Sequence, residues 1–121
     1  MAYQISKQFH FSAAHRLEHL PVGHPCQRNH GHNYSVEVVL EAHEVDDRGF
    51  VVDYGDLSPI KHWIDEKLDH RHLNEVLPEL EGQTTAENLC RLLYAKFKPV
   101  FPQLAAVRIS ETPKTWAEYR Q

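Results

Sequence analysis

The chain has 121 residues, 41% hydrophobic and 25% charged, and its formal net charge of -4 comes from 13 basic and 17 acidic side chains. This length suits one domain with its own core, so we expect a single domain over residues 1–121. The acidic balance without a basic run argues against a nucleic-acid partner, and no apolar run is long enough to span a membrane. The first residues lack the pattern of a signal peptide, so we expect a cytoplasmic protein in which Cys26 and Cys90 are reduced thiols.

The first predicted strand covers residues 8–17, where polar and apolar side chains alternate. Phe9 and Phe11 fall on one face, and His15 continues that face. His10 falls on the opposite face and is expected to be solvated. Because a buried imidazole needs a polar partner, His15 is either a hydrogen-bonded core histidine or a metal ligand.

A thiol and two imidazoles follow within seven residues, at Cys26, His30 and His32. The two histidines begin the second predicted strand, where residues two apart share a face, while Cys26 ends a loop rich in proline and glycine. Neighbouring imidazoles suit a borderline-soft metal ion. Together with His15 they predict a metal site with a reactive thiol beside it. The alternative is a surface histidine cluster next to one buried cysteine.

The middle of the chain is predicted to contain two helices. A turn at 45–50 leads to a short predicted strand over 50–53, which would form a hairpin. Leucine and isoleucine at helical spacing then predict a helix from about residue 56 to residue 68. A capping-box pattern at 84–87 begins the second helix, which must end before Pro99.

Asp69 and His70 stand where the first helical pattern ends. A carboxylate can orient a neighbouring imidazole and raise its basicity, so this pair is a candidate for proton transfer. An ordinary polar helix terminus has the same local sequence. The residues alone leave both interpretations open.

Two strands, over 104–112 and 116–119, are predicted to close the chain. Glu111 shares the parity of the apolar residues in the first of them, and a carboxylate on an apolar face is costly without a partner. Glu111 is therefore a candidate ligand-binding acid, unless the strand ends there and leaves it at the solvent rim. The order of elements predicts an α+β fold, an antiparallel sheet with both helices on one face. Other subunits are the natural cover for the second face.

Five blocks of the chain, taken in order, are more specific than any one of them. They are Ala13-Ala14-His15-Arg16-Leu17, Cys26-x-x-x-His30-Gly31-His32, Leu68-Asp69-His70-x-x-Leu73-Asn74, Thr85-x-Glu87-Asn88 and Glu111-Thr112. Together they resemble the 6-pyruvoyl-tetrahydropterin synthase family, and within it the bacterial branch that makes 6-carboxy-5,6,7,8-tetrahydropterin. The resemblance implies a tunnelling fold, in which subunits assemble barrels of antiparallel strands with helices outside. It also implies a homohexamer made of two trimers, with active sites between subunits.

The same resemblance implies a zinc enzyme that acts on a small molecule, 7,8-dihydroneopterin triphosphate. The residues to which it gives roles are the zinc ligands His15, His30 and His32, the catalytic thiol Cys26, the proton-relay pair Asp69 and His70, the pterin anchor Glu111, and Thr85 in the pterin pocket. Three imidazoles leave one coordination position open, as in catalytic zinc sites. Ala86 stands where some relatives carry a second threonine.

The implied reaction is that of a carbon-carbon lyase in queuosine biosynthesis, which releases acetaldehyde and triphosphate. The three-residue gap between Cys26 and His30 is the short form typical of this branch. One alternative is a 6-pyruvoyl-tetrahydropterin synthase, which eliminates triphosphate but keeps the three-carbon side chain. The other is a non-catalytic protein that binds zinc or a pterin.

Overall fold

In a computed structural model, which describes residues 2–121, the backbone forms one five-stranded sheet and three α-helices. The strands, in chain order, are β1 (Tyr3–His15), β2 (His30–Ala42), β3 (Arg71–His72), β4 (Leu104–Thr112) and β5 (Thr115–Arg120). The helices are α1 (Ser58–Lys67), the single turn α2 (Leu73–Val76) and α3 (Ala86–Phe97). No helix in the described part of the chain is long and apolar enough to cross a membrane.

The strands follow the order β3-β1-β2-β4-β5 across the sheet, and all neighbours are antiparallel except β1 and β3. Alternate side chains of β1, β2 and β4 are buried on one face of the sheet, where α1 and α3 cover them. The strand residues of this core include Phe9, Phe11, Tyr34, Val36, Val38, Val107 and Ile109. The expected α+β class, with an antiparallel sheet and helices on one face, is confirmed.

Helix α3 packs on β4 and β5. Its N-cap is Thr85, whose Oγ1 accepts a hydrogen bond from the backbone N–H of Asn88 at 3.2 Å, one residue later than the capping pattern indicated. The helix buries a stripe of side chains at helical spacing: Leu89, Cys90, Leu93, Tyr94 and Phe97. Burial of each large apolar side chain contributes about 1.5–3 kcal/mol to folding, so this stripe holds the helix on the sheet.

The opposite face of the sheet is polar. Arg108 of β4 donates a 2.8 Å hydrogen bond to Glu37 of β2, which lowers the pKa of that carboxyl. Arg108 also lies 3.5 Å from Glu118 of β5, and Glu118 in turn pairs with Arg120 at 3.0 Å. Ion pairs at or near the surface contribute little stability individually. This face therefore suits water or another polar surface better than an apolar partner.

The prediction of a strand at 50–53 is wrong. These residues form bends and lead into a 3₁₀ turn at Tyr54–Leu57. Asp46 accepts hydrogen bonds from the backbone N–H of Arg48 and Phe50, and Asp53 accepts one from the N–H of Gly55. These side chains satisfy backbone donors that a hairpin would have used, so local turns replace strand pairing.

The boundaries of the first strand also differ from the prediction. β1 begins at Tyr3 rather than at residue 8 and ends at His15 rather than at residue 17. The two-residue strand β3, which the sequence did not indicate, pairs in parallel with Ala13 and Ala14. Its pairing leaves most of the outer edge of β1 without a neighbouring strand in the described residues.

Candidate active site

Three histidines converge where β1 ends and β2 begins. The register pairs His15 with His30 and Ala13 with His32, so all three imidazoles lie on the helix-covered face of the sheet. One ring nitrogen from each lies within 4.8 Å of the other two. The ring centroids are 4.5, 5.1 and 4.9 Å apart. The period-two pattern had predicted this convergence.

Backbone carbonyls orient two of the rings. The Nδ1 atom of His15 lies 2.8 Å from the carbonyl oxygen of Thr84, and that of His30 lies 2.7 Å from the carbonyl oxygen of Arg28. A carbonyl only accepts, so each Nδ1 carries a proton, and Nε2 is the atom with the lone pair whenever the ring is neutral. The Nε2 of His15 is buried without a hydrogen-bond partner among residues 2–121.

The protonation state of His15 also suits a metal ligand. Burial lowers its pKa to about 4, and the neighbouring His30 and His32 add to this shift. His15 is therefore neutral at pH 7, as a metal-binding imidazole must be. The buried lone pair and the three converging nitrogens fit a divalent transition-metal ion.

Glu111 lies beside this cluster rather than at the solvent rim. One of its carboxylate oxygens, Oε2, is 3.3 Å from Nε2 of His32 and 3.7 Å from Nε2 of His15. The β2–β4 register pairs Val36 with Ile109, which carries Glu111 to the same face and the same end of the sheet. The carboxylate thus lies on the face that its position in β4 predicted, next to the Nε2 atoms of two cluster histidines.

A surface cavity of about 400 Å³ adjoins Glu111 at the first turn of α3. Its lining includes Ala86, Glu87, Glu111 and Trp116. Thr85 is not part of this lining, because its hydroxyl serves as the N-cap of α3. The cavity is nevertheless large enough for a bicyclic ring, and the predicted anchor carboxylate lines its wall.

Cys26 lies in a 3₁₀ turn, Pro25–Gln27, that is attached to the end of β1. Its carbonyl accepts a 2.8 Å hydrogen bond from the N–H of Leu17, and its N–H donates to Nδ1 of His24. The thiol is partly exposed. Within the described residues, its sulfur does not belong to the cluster formed by the ring nitrogens of His15, His30 and His32. Its backbone therefore positions it next to the strand end that carries His15.

Asp69 and His70 form the predicted pair at the free edge of β1. Asp69 Oδ2 lies 3.0 Å from His70 Nδ1, and Asp69 Oδ1 accepts a 2.9 Å hydrogen bond from the N–H of Ser12. The bond from Ser12, followed by that from His70, lowers the pKa of Asp69. His70 has a φ of 60° and is 83% exposed, so the ring is presented to solvent in a backbone conformation that non-glycine residues seldom adopt.

His70 also lies near the histidine cluster, because His70 and one cluster residue line the same surface cavity. A shallow cavity of about 350 Å³ is lined by both His70 and His32, with Ser12 and Asn33 between β1 and β2. The proton-transfer candidates and the cluster thus share one end of the sheet.

The sequence patterns do not indicate the residues that support the cluster. Thr84 is fully buried beside His15, and Asn74 bonds to both Thr84 and Arg16. Asn74 was visible only as the last residue of a motif, and Thr84 only as part of a capping pattern. Neither pattern indicates which backbone group the side chain would reach.

The two cysteines should differ sharply in reactivity. Cys90 is fully buried, and burial raises the pKa of its thiol to about 12, whereas Cys26 is partly exposed. Iodoacetamide should therefore label Cys26 in the folded protein and both thiols in denaturant, which intact-mass spectrometry can count. The Cys26→Ala variant should remain unlabelled until it unfolds. Rapid labelling of Cys90 in that folded variant would contradict the packing shown here.

The model of the 6-pyruvoyl tetrahydropterin synthase family matches residues 4–121. The chain belongs to this family. It is 34% identical to the 6-pyruvoyl tetrahydrobiopterin synthase of Dictyostelium discoideum, with 91% of this chain and 90% of that protein aligned. It is 28% identical to the 6-carboxy-5,6,7,8-tetrahydropterin synthase of Bacillus subtilis, with 98% and 86% aligned.

The fold of this family member is similar to solved structures as well. The structure of Caenorhabditis elegans 6-pyruvoyl tetrahydropterin synthase superposes with a TM-score of 0.86 at 29% identity, covering 98% of this chain and 95% of that one. The expected tunnelling fold is thereby confirmed for the single chain. Similar proteins carry names from both product branches, so the family is shown while the product is a separate question.

Proposed function

We propose that this chain is a zinc-dependent 6-carboxy-5,6,7,8-tetrahydropterin synthase that serves 7-deazaguanine and queuosine biosynthesis. As a carbon-carbon lyase, it converts 7,8-dihydroneopterin triphosphate and one water molecule into 6-carboxy-5,6,7,8-tetrahydropterin, acetaldehyde and triphosphate. The main support is the cluster of His15, His30 and His32, whose converging ring nitrogens lie beside the carboxylate of Glu111. A catalytic metal and a ring anchor at one place suit a reaction on the side chain of a bound pterin.

The metal in this proposal is zinc, held by His15, His30 and His32. Three imidazoles would leave one position for a substrate hydroxyl. A zinc ion bound there would acidify that hydroxyl and polarise the adjacent carbon. Iron and cobalt also accept imidazole ligands, and zinc is preferred because the reaction needs no external oxidant or reductant.

The other site residues have proposed roles in proton transfer and in binding the pterin. Cys26 is the proposed base that removes a proton from the substrate side chain. Asp69 holds His70 for a second proton transfer, through the 3.0 Å contact between them. Glu111 accepts two hydrogen bonds from the 2-amino and ring N–H groups of the pterin, which fixes the ring. Thr85, the N-cap residue next to the lining residue Ala86, is the proposed further contact to the pterin.

The proposed assembly is a homohexamer of two trimers with active sites between subunits. β1 has no pairing strand on its outer edge from Tyr3 to Ser12 within the described residues, and β5 is an edge strand. Unpaired edges are ready to pair with another chain, and here the other chain is a second copy. The polar face described above would then line the barrel interior.

Two alternatives differ from this proposal at specific points. A 6-pyruvoyl-tetrahydropterin synthase would use the same residues, and the similarity to the Dictyostelium protein favours it as much as the similarity to the Bacillus protein favours the lyase. A non-catalytic zinc-binding or pterin-binding protein needs neither Cys26 nor the Asp69–His70 pair. The presence of all three argues against that alternative.

The deciding experiment is a product analysis. We expect the zinc-loaded protein to convert 7,8-dihydroneopterin triphosphate into 6-carboxy-5,6,7,8-tetrahydropterin and acetaldehyde, both detected by mass spectrometry. Protein treated with a chelator serves as the control and should form neither. A 6-pyruvoyl product without acetaldehyde would assign the chain to the other branch. Bound zinc without turnover would favour the non-catalytic alternative.

A further inference from the structure

The Asn74 side chain, in the short helix α2, bonds to Arg16, the residue that follows the end of β1 at His15. Its Oδ1 accepts a 3.0 Å hydrogen bond from the N–H of Arg16, and its Nδ2 donates a 2.9 Å hydrogen bond to the carbonyl of Arg16. One amide side chain thus satisfies both backbone groups of Arg16. The amide thus makes the two hydrogen bonds that a neighbouring strand would otherwise make to Arg16.

Within residues 2–121, no neighbouring strand pairs with Arg16. The pairing of β1 with β3 ends at Ala14, and the pairing of β1 with β2 ends at His15. Without Asn74, the polar backbone groups of Arg16 would have no partner among the described residues. The end of β1 would then lose the contact nearest to His15, and the direction of the His15 side chain would be less tightly fixed.

The same Asn74 oxygen reaches the group that orients His15. Thr84 donates a 3.3 Å hydrogen bond from Oγ1 to Oδ1 of Asn74, and Thr84 is fully buried. The carbonyl of Thr84 accepts from Nδ1 of His15 at 2.8 Å, with Oγ1 at 3.2 Å. The hydrogen bonds therefore form a closed circuit from His15 through Thr84 and Asn74 to Arg16, which adjoins His15 in the chain.

We infer that Asn74 is a positioning residue for the metal: it fixes the backbone of His15 and, through Thr84, the ring orientation and tautomer of that histidine. This inference rests on the metal site of the proposed function. Partners that orient metal-binding histidines typically change metal affinity by about 10–100-fold when removed. Asn74 itself contacts neither metal nor substrate in this role.

The chain offers a matched control in the first turn of α3, at a side chain that contacts the segment before Thr84. Asn88 also donates from its side-chain amide to a backbone carbonyl, that of Gln83, at 2.9 Å. Gln83 directly precedes Thr84, so loss of this bond loosens the loop without breaking the circuit. Asn88→Ala therefore reports what general loosening does to the site.

The test is the affinity of the purified full-length protein for Zn²⁺, measured by competition with a chromophoric chelator. Asn74→Ala should bind Zn²⁺ about 10–100-fold more weakly than the wild type, and Asn88→Ala should stay within about twofold. Thr84→Val, which lacks the hydroxyl, should also lose affinity, while Thr84→Ser should restore it. In the double variant of Asn74→Ala with Thr84→Val, the loss of binding free energy for Zn²⁺ should be smaller than the sum of the two single losses. Both substitutions break the same circuit of hydrogen bonds.

A spectroscopic readout separates positioning from simple destabilisation. Nitrogen NMR of the histidine rings should show the Nδ1–H tautomer of His15 in the wild type and in Asn88→Ala, and a mixture of tautomers in Asn74→Ala. Equal Zn²⁺ affinity in Asn74→Ala and Asn88→Ala would overturn the inference while leaving the proposed function intact. A wild type that binds no Zn²⁺ would overturn both. Should Asn74→Ala not fold, Thr84→Val and Thr84→Ser decide the same question.

Discussion

Replacing Cys26 by alanine should lower kcat/KM by about 10²–10⁴-fold, the range typical for loss of a general base. Zinc should remain bound, because the three histidines supply the ligand atoms and the thiol is not among them. The structure supports this separation, since Cys26 belongs to the Pro25–Gln27 turn and His15 to the end of β1. Steady-state kinetics and elemental analysis of the same preparation measure both quantities.

Cys90→Ala is the matched control for that experiment. Cys90 is buried between α3 and β5, with its sulfur 3.5 Å from the carbonyl of Ala117, so its loss should affect stability and leave turnover near the wild-type level. Turnover that survives Cys26→Ala would mean that another group is the base. Loss of zinc in Cys26→Ala would instead mean that the thiol is a ligand.

Parity along the strands predicted the geometry of the candidate site well. His15, His30 and His32 share a face because side chains alternate along a strand, and the antiparallel pairing of β1 with β2 then brings them together. Glu111 follows from the same rule on β4. Alternation is a property of the backbone and needs only local sequence, so these positions were accessible before the fold was known.

Hydrogen bonds between segments far apart in the chain could not be predicted from local sequence patterns. Asp69 reaches the backbone of Ser12, 57 residues away, and Asn74 reaches Arg16 across 58 residues. A side chain that satisfies a distant backbone group leaves no period in the sequence. The strand β3 was missed for the same reason, because two residues are too few to show alternation. The roles of Cys26, Asp69, His70 and Glu111 stay predictions that the variants must test.

Acid should destabilise the metal-free protein through His15. In an unfolded chain a histidine has a pKa near 6.5, and in the folded protein burial lowers the pKa of His15 to about 4. Between these two values the unfolded chain holds a proton that the native state lacks. The free energy of unfolding therefore falls as the pH falls from 6.5 to 4, and His15 accounts for about 3 kcal/mol of this loss.

Urea unfolding of chelator-treated protein at several pH values between 7 and 4, at one fixed protein concentration, measures this effect. Protonation of carboxylates with lowered pKa values, such as Asp69 and Glu37, also destabilises the folded protein in acid. The pH dependence of the wild-type unfolding free energy alone therefore does not isolate the contribution of His15. The difference between the wild type and His15→Leu does. We expect His15→Leu to flatten the pH dependence, whereas His10→Leu, which removes an exposed histidine outside the cluster, should keep it. Equal slopes for His15→Leu and the wild type would show that the imidazole is not buried in the neutral form, and the metal-ligand assignment would lose its electrostatic support.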